Sequence, residues 1–156
     1  MLYYLLTFLI SMVPVIELRG AIPIGYYAFD LPIVPVVVLS VLGNLLPVPF
    51  LIIFGGKVLR WLAGFEKLGK PFRWILSLGE KKVSKMHKTL FLGLFLFVAI
   101  PLPGTGAWTG SLLAITLNQD LRHSALPITL GVLTAGAIIV TLFYFAPEAF
   151  RAIVGR

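Results

Sequence analysis

Hydrophobic and polar positions in this chain come in blocks rather than in alternation. Residues 1 to 16 carry no charge, and the stretch "PVIELRGAIPIG" (14–25) then sets Glu17 and Arg19 among Pro14, Gly20, Pro23 and Gly25. A turn at Phe29-Asp30-Leu31-Pro32 leads into Leu31 to Phe54, again uncharged. The same order returns later. An apolar run from Thr89 to Ile100 precedes the broken stretch "PLPGTGAWTG" (101–110), the turn "LNQDLRH" (117–123) and the uncharged run Ser124 to Ala146. Both long runs exceed the roughly 20 residues that a helix rising about 1.5 Å per residue needs to span a hydrocarbon core of about 30 Å. They predict transmembrane helices over 31–54 and 124–146.

Composition agrees. Of 156 residues, 59% are hydrophobic and 12% charged, with a mean hydropathy of +1.01. A soluble domain carries roughly a quarter charged residues, so the expected class is an all-α integral membrane protein. The N-terminal apolar run lacks a basic leader, and Glu-Leu-Arg-Gly matches a small-x-small cleavage site poorly. It is therefore expected to belong to the mature protein and not to a signal peptide. The chain has no cysteine, which excludes disulfides, thiolate metal sites and cysteine nucleophiles.

The net charge of +7 is concentrated, with nine of 13 basic residues lying between Lys57 and Lys88. Only Glu66 and Glu80 oppose them there. Such a block marks a cytoplasmic connection under the positive-inside rule. Val58, Trp61, Leu62, Phe65 and Leu68 recur at helical spacing opposite Lys57, Arg60, Gly64 and Lys67, and Pro71 starts a second piece containing Trp74. Residues 57–88 thus read as a basic, amphipathic linker lying on the membrane surface. A nucleic-acid partner is not expected of a segment flanked this way.

The two broken stretches govern the topology. Residues 1–29 and 89–117 each offer two short apolar arms around a Pro/Gly apex, which predicts a re-entrant hairpin in each half. Irregular backbone at membrane depth is tolerated only where protein or a polar cavity surrounds it. One hairpin and one crossing per half would invert the second half relative to the first. A shift of 86 residues lays Gly20-Ala21 on Gly106-Ala107 and Arg19 on Thr105, and a shift of 88 lays Gly43 on Gly131. The competing reading makes 89–117 a single kinked crossing, which would bring the C-terminus to the cytoplasm. Because two hairpins and two crossings enclose little, a homodimer or larger homo-oligomer is expected.

Interrupted segments at matching positions of two halves point to a transport site near the midplane. The candidate substrate- and ion-binding residues are Glu17, Arg19, Gly20 and Pro23 in the first break, with Thr105, Gly106, Trp108 and Thr109 in the second. A lone charge at membrane depth costs at least about 2.5 kcal/mol, so Glu17 and Arg19 are expected to pair or to face a cavity. Positions i and i+2 of a helix point apart, so direct pairing requires irregular backbone. The amides of "GTGAWTG" at a helix start would suit an anion. Asn44, mid-span, needs a hydrogen-bond partner, expected at a helix contact. No metal or cofactor is expected. His87 and His123 fall outside the breaks and no paired intramembrane aspartates occur, so an enzyme is not expected either.

"ELRGAIP" followed much later by "PLPGTGAWTG", over essentially the whole chain, resembles the small multidrug export protein family. More distantly the chain is similar to the DedA/VTT superfamily. That likeness implies paired re-entrant hairpins in an inverted repeat and translocation of a lipid carrier such as undecaprenyl phosphate, coupled to protons or another ion. It also implies functional roles for acidic and arginine residues of the hairpins, which Glu17 and Arg19 match; residues 101 to 117 contain no arginine. The function expected is a DedA-like transporter, a proton- or ion-coupled flippase for a lipid carrier such as a polyprenyl phosphate, with Glu17 carrying the proton or ion and Arg19 facing the anion. The alternatives are a proton-coupled exporter of small amphipathic drugs and a non-transporting assembly or scaffold protein. The expected location is the inner membrane of a prokaryote, multi-pass among membrane lipids.

Overall fold

The computed structural model describes residues 1–65, 87–102, 104–117 and 119–145, and among them every regular element is helical. In chain order these are α1 (Leu2–Met12), α2 (Glu17–Pro23), α3 (Ile33–Leu45), α4 (Pro47–Ala63), α5 (His87–Ala99), α6 (Ala107–Thr116) and α7 (Leu121–Phe145). Pro23 ends α2 by passing into a single π-helical turn, Ile24–Ala28. Most of the predicted basic linker, with Pro71 and Trp74, lies outside the described residues, as do Pro103 and Ala146.

Proline sets most of the boundaries. Pro14 has no amide proton and disfavours helical backbone at the residue before it; Val13 is accordingly extended, at φ −72° and ψ 128°. Pro32 is extended ahead of α3, and Pro47 opens α4, where a missing N–H costs nothing. At the second break Pro101 follows α5, and Gly104 takes a left-handed φ of 82°. At the far turn Asp120 caps α7. Its Oδ1 accepts from the His123 amide at 3.1 Å and lies 2.6 Å from His123 Nδ1. Those two hydrogen bonds, the side-chain one first, hold its carboxyl below the usual carboxylate range. The charged cap therefore persists as pH falls until that lowered value is reached.

Among the described residues two segments are long and apolar enough to cross a membrane: Ile33–Val58, which joins α3 to most of α4, and Leu121–Phe145. Helices α1 and α6, of 11 and 10 residues, reach only about 15 Å at about 1.5 Å per residue, half of a hydrocarbon core. The described helices thus agree with the all-α membrane class. Lys57, placed by the sequence at the start of the linker, lies inside α4, which runs on to Ala63.

Lipid gives helices no hydrophobic reason to associate, so close backbone approach has to do that work. Gly43 of α3 sits against the Phe8 carbonyl and the Ser11 side chain of α1. Gly131 of α7 sits against the Phe95 carbonyl and the Val98 side chain of α5. A Cβ at either glycine would overlap those atoms. Between the halves, Gly55 of α4 rests on Ile115 of α6. Phe143 of α7 meets the rings of Tyr26 and Tyr27 at 4.5 and 5.2 Å. Leu18, Ile22, Val36, Val98, Ala107, Ala114, Ile128 and Val132 form the shared core. Leu9, Val38, Leu42, Phe50, Leu96 and Leu133 face outward, where lipid would be.

Candidate functional site: two helix breaks tied by one acid and one base

The first break is narrower than the sequence predicts. The chain lies outside regular helix only over residues 13–16, and Glu17 opens α2 with left-handed backbone of its own. Gly20 and Pro23 therefore lie inside a helix: Gly20 packs on the Ile16 side chain, and Pro23 is buried where α2 widens into the π turn. The distortion collects in Val15 and Glu17, with left-handed φ values of 78° and 49°. A β-branched residue there is strained, and such strain persists only when the surroundings hold it.

What holds it is the second break. Glu17 is 5% exposed, and its Oε1 accepts the backbone N–H of Trp108 at 3.0 Å. Trp108 is the second residue of α6. The first amides of a helix lack intrahelical partners and carry the positive end of its dipole, so a carboxylate supplied from α2 caps α6 across the fold. Gly106 precedes that helix in fully extended backbone, at φ 171°, with the Glu17 carboxylate against its Cα.

Arg19 does the complementary work at the end of α5. Its Nη1 donates to the Leu102 carbonyl at 2.6 Å, and Nη2 to those of Ile100 at 3.2 Å and Val98 at 3.4 Å. These carbonyls sit where Pro101 interrupts the helix ladder, and a cation is favourable at a helix C-terminus. Arg19 Nη1 and Glu17 Oε2 are 4.0 Å apart, a charge contact too long for a hydrogen bond. Left-handed backbone at Glu17 lets side chains two positions apart lie together, one on each flank of the second break. Arg19 Nε is buried and has no partner among the described residues.

The remaining candidates trim the same junction. The Thr105 hydroxyl lies 2.6 Å from the Ile100 carbonyl and 2.9 Å from that of Leu102, and its single proton serves one at a time. The Trp108 indole N–H donates to the Met12 carbonyl at 3.0 Å, fastening α6 to the end of α1. Thr109 turns its hydroxyl back to the Gly106 carbonyl at 3.4 Å. Sequence reasoning missed the backbone partners, the carbonyls of Met12, Val98, Ile100 and Leu102. The proline at 101 signals free carbonyls nearby, but nothing local says that Arg19 receives them.

The family model described as "Putative small multi-drug export protein" matches residues 17–138. That stretch opens on Glu17 and takes in both breaks. The chain belongs to this family. No curated protein and no solved structure matches it. A small multi-drug export family and apolar helices long enough to cross a bilayer together make this a membrane protein.

Proposed function

We propose that this family member is a proton-coupled exporter of small amphipathic molecules, and that the contact between its two breaks is the part that proton binding switches. One observation carries the reading: a single buried carboxylate holds the N-terminus of α6 while its neighbour Arg19 holds the C-terminus of α5. A protonated Glu17 would hold the helix amide and the guanidinium more weakly than a carboxylate does. Proton uptake would then loosen both breaks together, and proton release would lock them. The short arms α1–α2 and α5–α6 are read as re-entrant hairpins of an inverted repeat, each with one crossing, covering residues 1–29 with 31–54 and 89–117 with 124–146. The paired contacts of Gly43 and Gly131 support that reading. A second copy of the chain would cover the outer sides of the hairpins.

A lipid carrier such as a polyprenyl phosphate is the second substrate class. The observation favouring it is Arg19 Nε, a buried donor without an acceptor among the described residues, which an anionic group could reach once the carbonyl contacts are released. Proteoliposomes with an imposed pH gradient separate the two classes. Movement of a cationic dye supports the drug reading. Flipping of a labelled lipid phosphate without dye movement replaces it with the lipid reading. Neither activity in correctly reconstituted protein sinks both.

Topology is tested separately. The inverted repeat requires tags at both termini to be labelled from outside the cell, with Lys81 to Lys88 labelled from the cytoplasm. A C-terminal tag reached only from the cytoplasm would mean that residues 89–117 cross the membrane once.

A further inference from the structure

One helix contact is built twice in this fold, with polar side chains in one copy and apolar ones in the other. Gly43 packs on Phe8 and Ser11; Gly131 packs on Phe95 and Val98. Phe8 and Ser11 correspond to Phe95 and Val98 after 87 residues, and Gly43 corresponds to Gly131 after 88. The same offsets pair Thr7, Ser11, Ser40 and Asn44 with Leu94, Val98, Ile128 and Val132. All eight side chains are buried, and the four polar ones are fully buried. Helix packing therefore does not demand polarity here, because the second copy makes the same approach with aliphatic groups alone.

Polarity in the first copy is also unsatisfied. Ser40 and Asn44 lie one turn apart on one face of α3, and Ser40 Oγ and both amide atoms of Asn44 have no hydrogen-bond partner among the described residues. Native proteins rarely bury such atoms unpaired. Thr7 and Ser11 donate their protons to the Tyr3 and Phe8 carbonyls at 2.8 and 2.7 Å, which leaves lone pairs on both hydroxyl oxygens. The Gly43 contact sets Asn44 level with the last turn of α1.

We propose that Thr7, Ser11, Ser40 and Asn44 form a binding site for one small monovalent cation between α1 and α3. Hard cations take oxygen ligands, and these side chains offer a set of oxygens whose counterparts in the second half are all carbon. The set contains no carboxylate, so it suits a single charge and not a divalent ion. The site is separate from the Glu17–Arg19 junction and stands whether or not the export reading does.

The test uses the full chain purified in detergent, with sodium as the probe. Radioactive sodium should bind saturably, near one ion per chain, and sodium chloride should raise the thermal midpoint above that in choline chloride of equal ionic strength. Asn44→Val installs the residue that the second half carries at the corresponding place, so it should fold. It should weaken sodium binding at least tenfold and abolish the sodium-dependent shift. Ser40→Ala should weaken binding in the same direction, and it decides the matter if Asn44→Val does not fold. A wild-type protein that shows no saturable sodium binding holds only water there, and the proposal fails. Unchanged binding in both variants overturns it equally.

Discussion

Gly106→Ala should destabilise the protein about as much as removing the Glu17 carboxylate itself. The backbone at Gly106 is extended and any residue can adopt it, so the objection is purely steric. A Cβ at this position would fall on Oε1, Oε2 and Cδ of Glu17. The carboxylate would be pushed off the Trp108 amide and away from Arg19, and a buried charge that loses its partners costs about 3–5 kcal/mol. The signature is non-additivity. In a Glu17→Ala background the carboxylate is gone and the new methyl has room, so the same Gly106→Ala change should cost under about 1 kcal/mol. Thermal or denaturant unfolding of the four proteins in one detergent gives the cycle. Additive losses would mean that Gly106 and Glu17 do not meet.

Arg19→Ala should also be among the most damaging single substitutions, again by several kcal/mol, because three carbonyls each lose a charged donor and one carboxylate loses its counter-charge. Arg19→Lys separates charge from shape. Lysine keeps the cation, but its single ammonium cannot reproduce the planar fork that reaches Leu102 with one nitrogen and Ile100 and Val98 with the other. Midpoints should therefore fall in the order wild type, lysine, alanine, with lysine clearly below wild type. A lysine variant as stable as wild type would show that only the charge matters at the end of α5.

The helical class and both long membrane segments were legible in the sequence because they rest on local features, uncharged runs long enough to cross a bilayer. The breaks were legible as regions and less so in their limits. The sequence spread the first one over residues 14–25, counting every proline and glycine as an interruption. In the fold Gly20 is an ordinary helix position and Pro23 passes into a π turn, so only residues 13–16 lie outside a helix, with Glu17 left-handed at the start of α2. The oddity of Glu17 and Arg19 was visible, but their partners were not. An amide of Trp108 and the carbonyls of Val98, Ile100 and Leu102 are backbone groups that every residue has. Nothing in a one-dimensional reading says which of them the folded chain brings next to a distant side chain. Asn44 is the reverse case: its need for a partner could be read, and the described residues supply none.

The central claim, that proton exchange at Glu17 switches the hold between the two breaks, is tested most directly by Glu17→Gln in proteoliposomes with an imposed pH gradient. Glutamine is isosteric and keeps an acceptor for the Trp108 amide, so the protein should remain folded, with a thermal midpoint below that of wild type because Arg19 loses its counter-charge. It cannot exchange a proton, so gradient-driven transport of whichever probe the wild type moves should disappear. A folded Glu17→Gln protein that transports at the wild-type rate, with the same dependence on the gradient, would contradict the account.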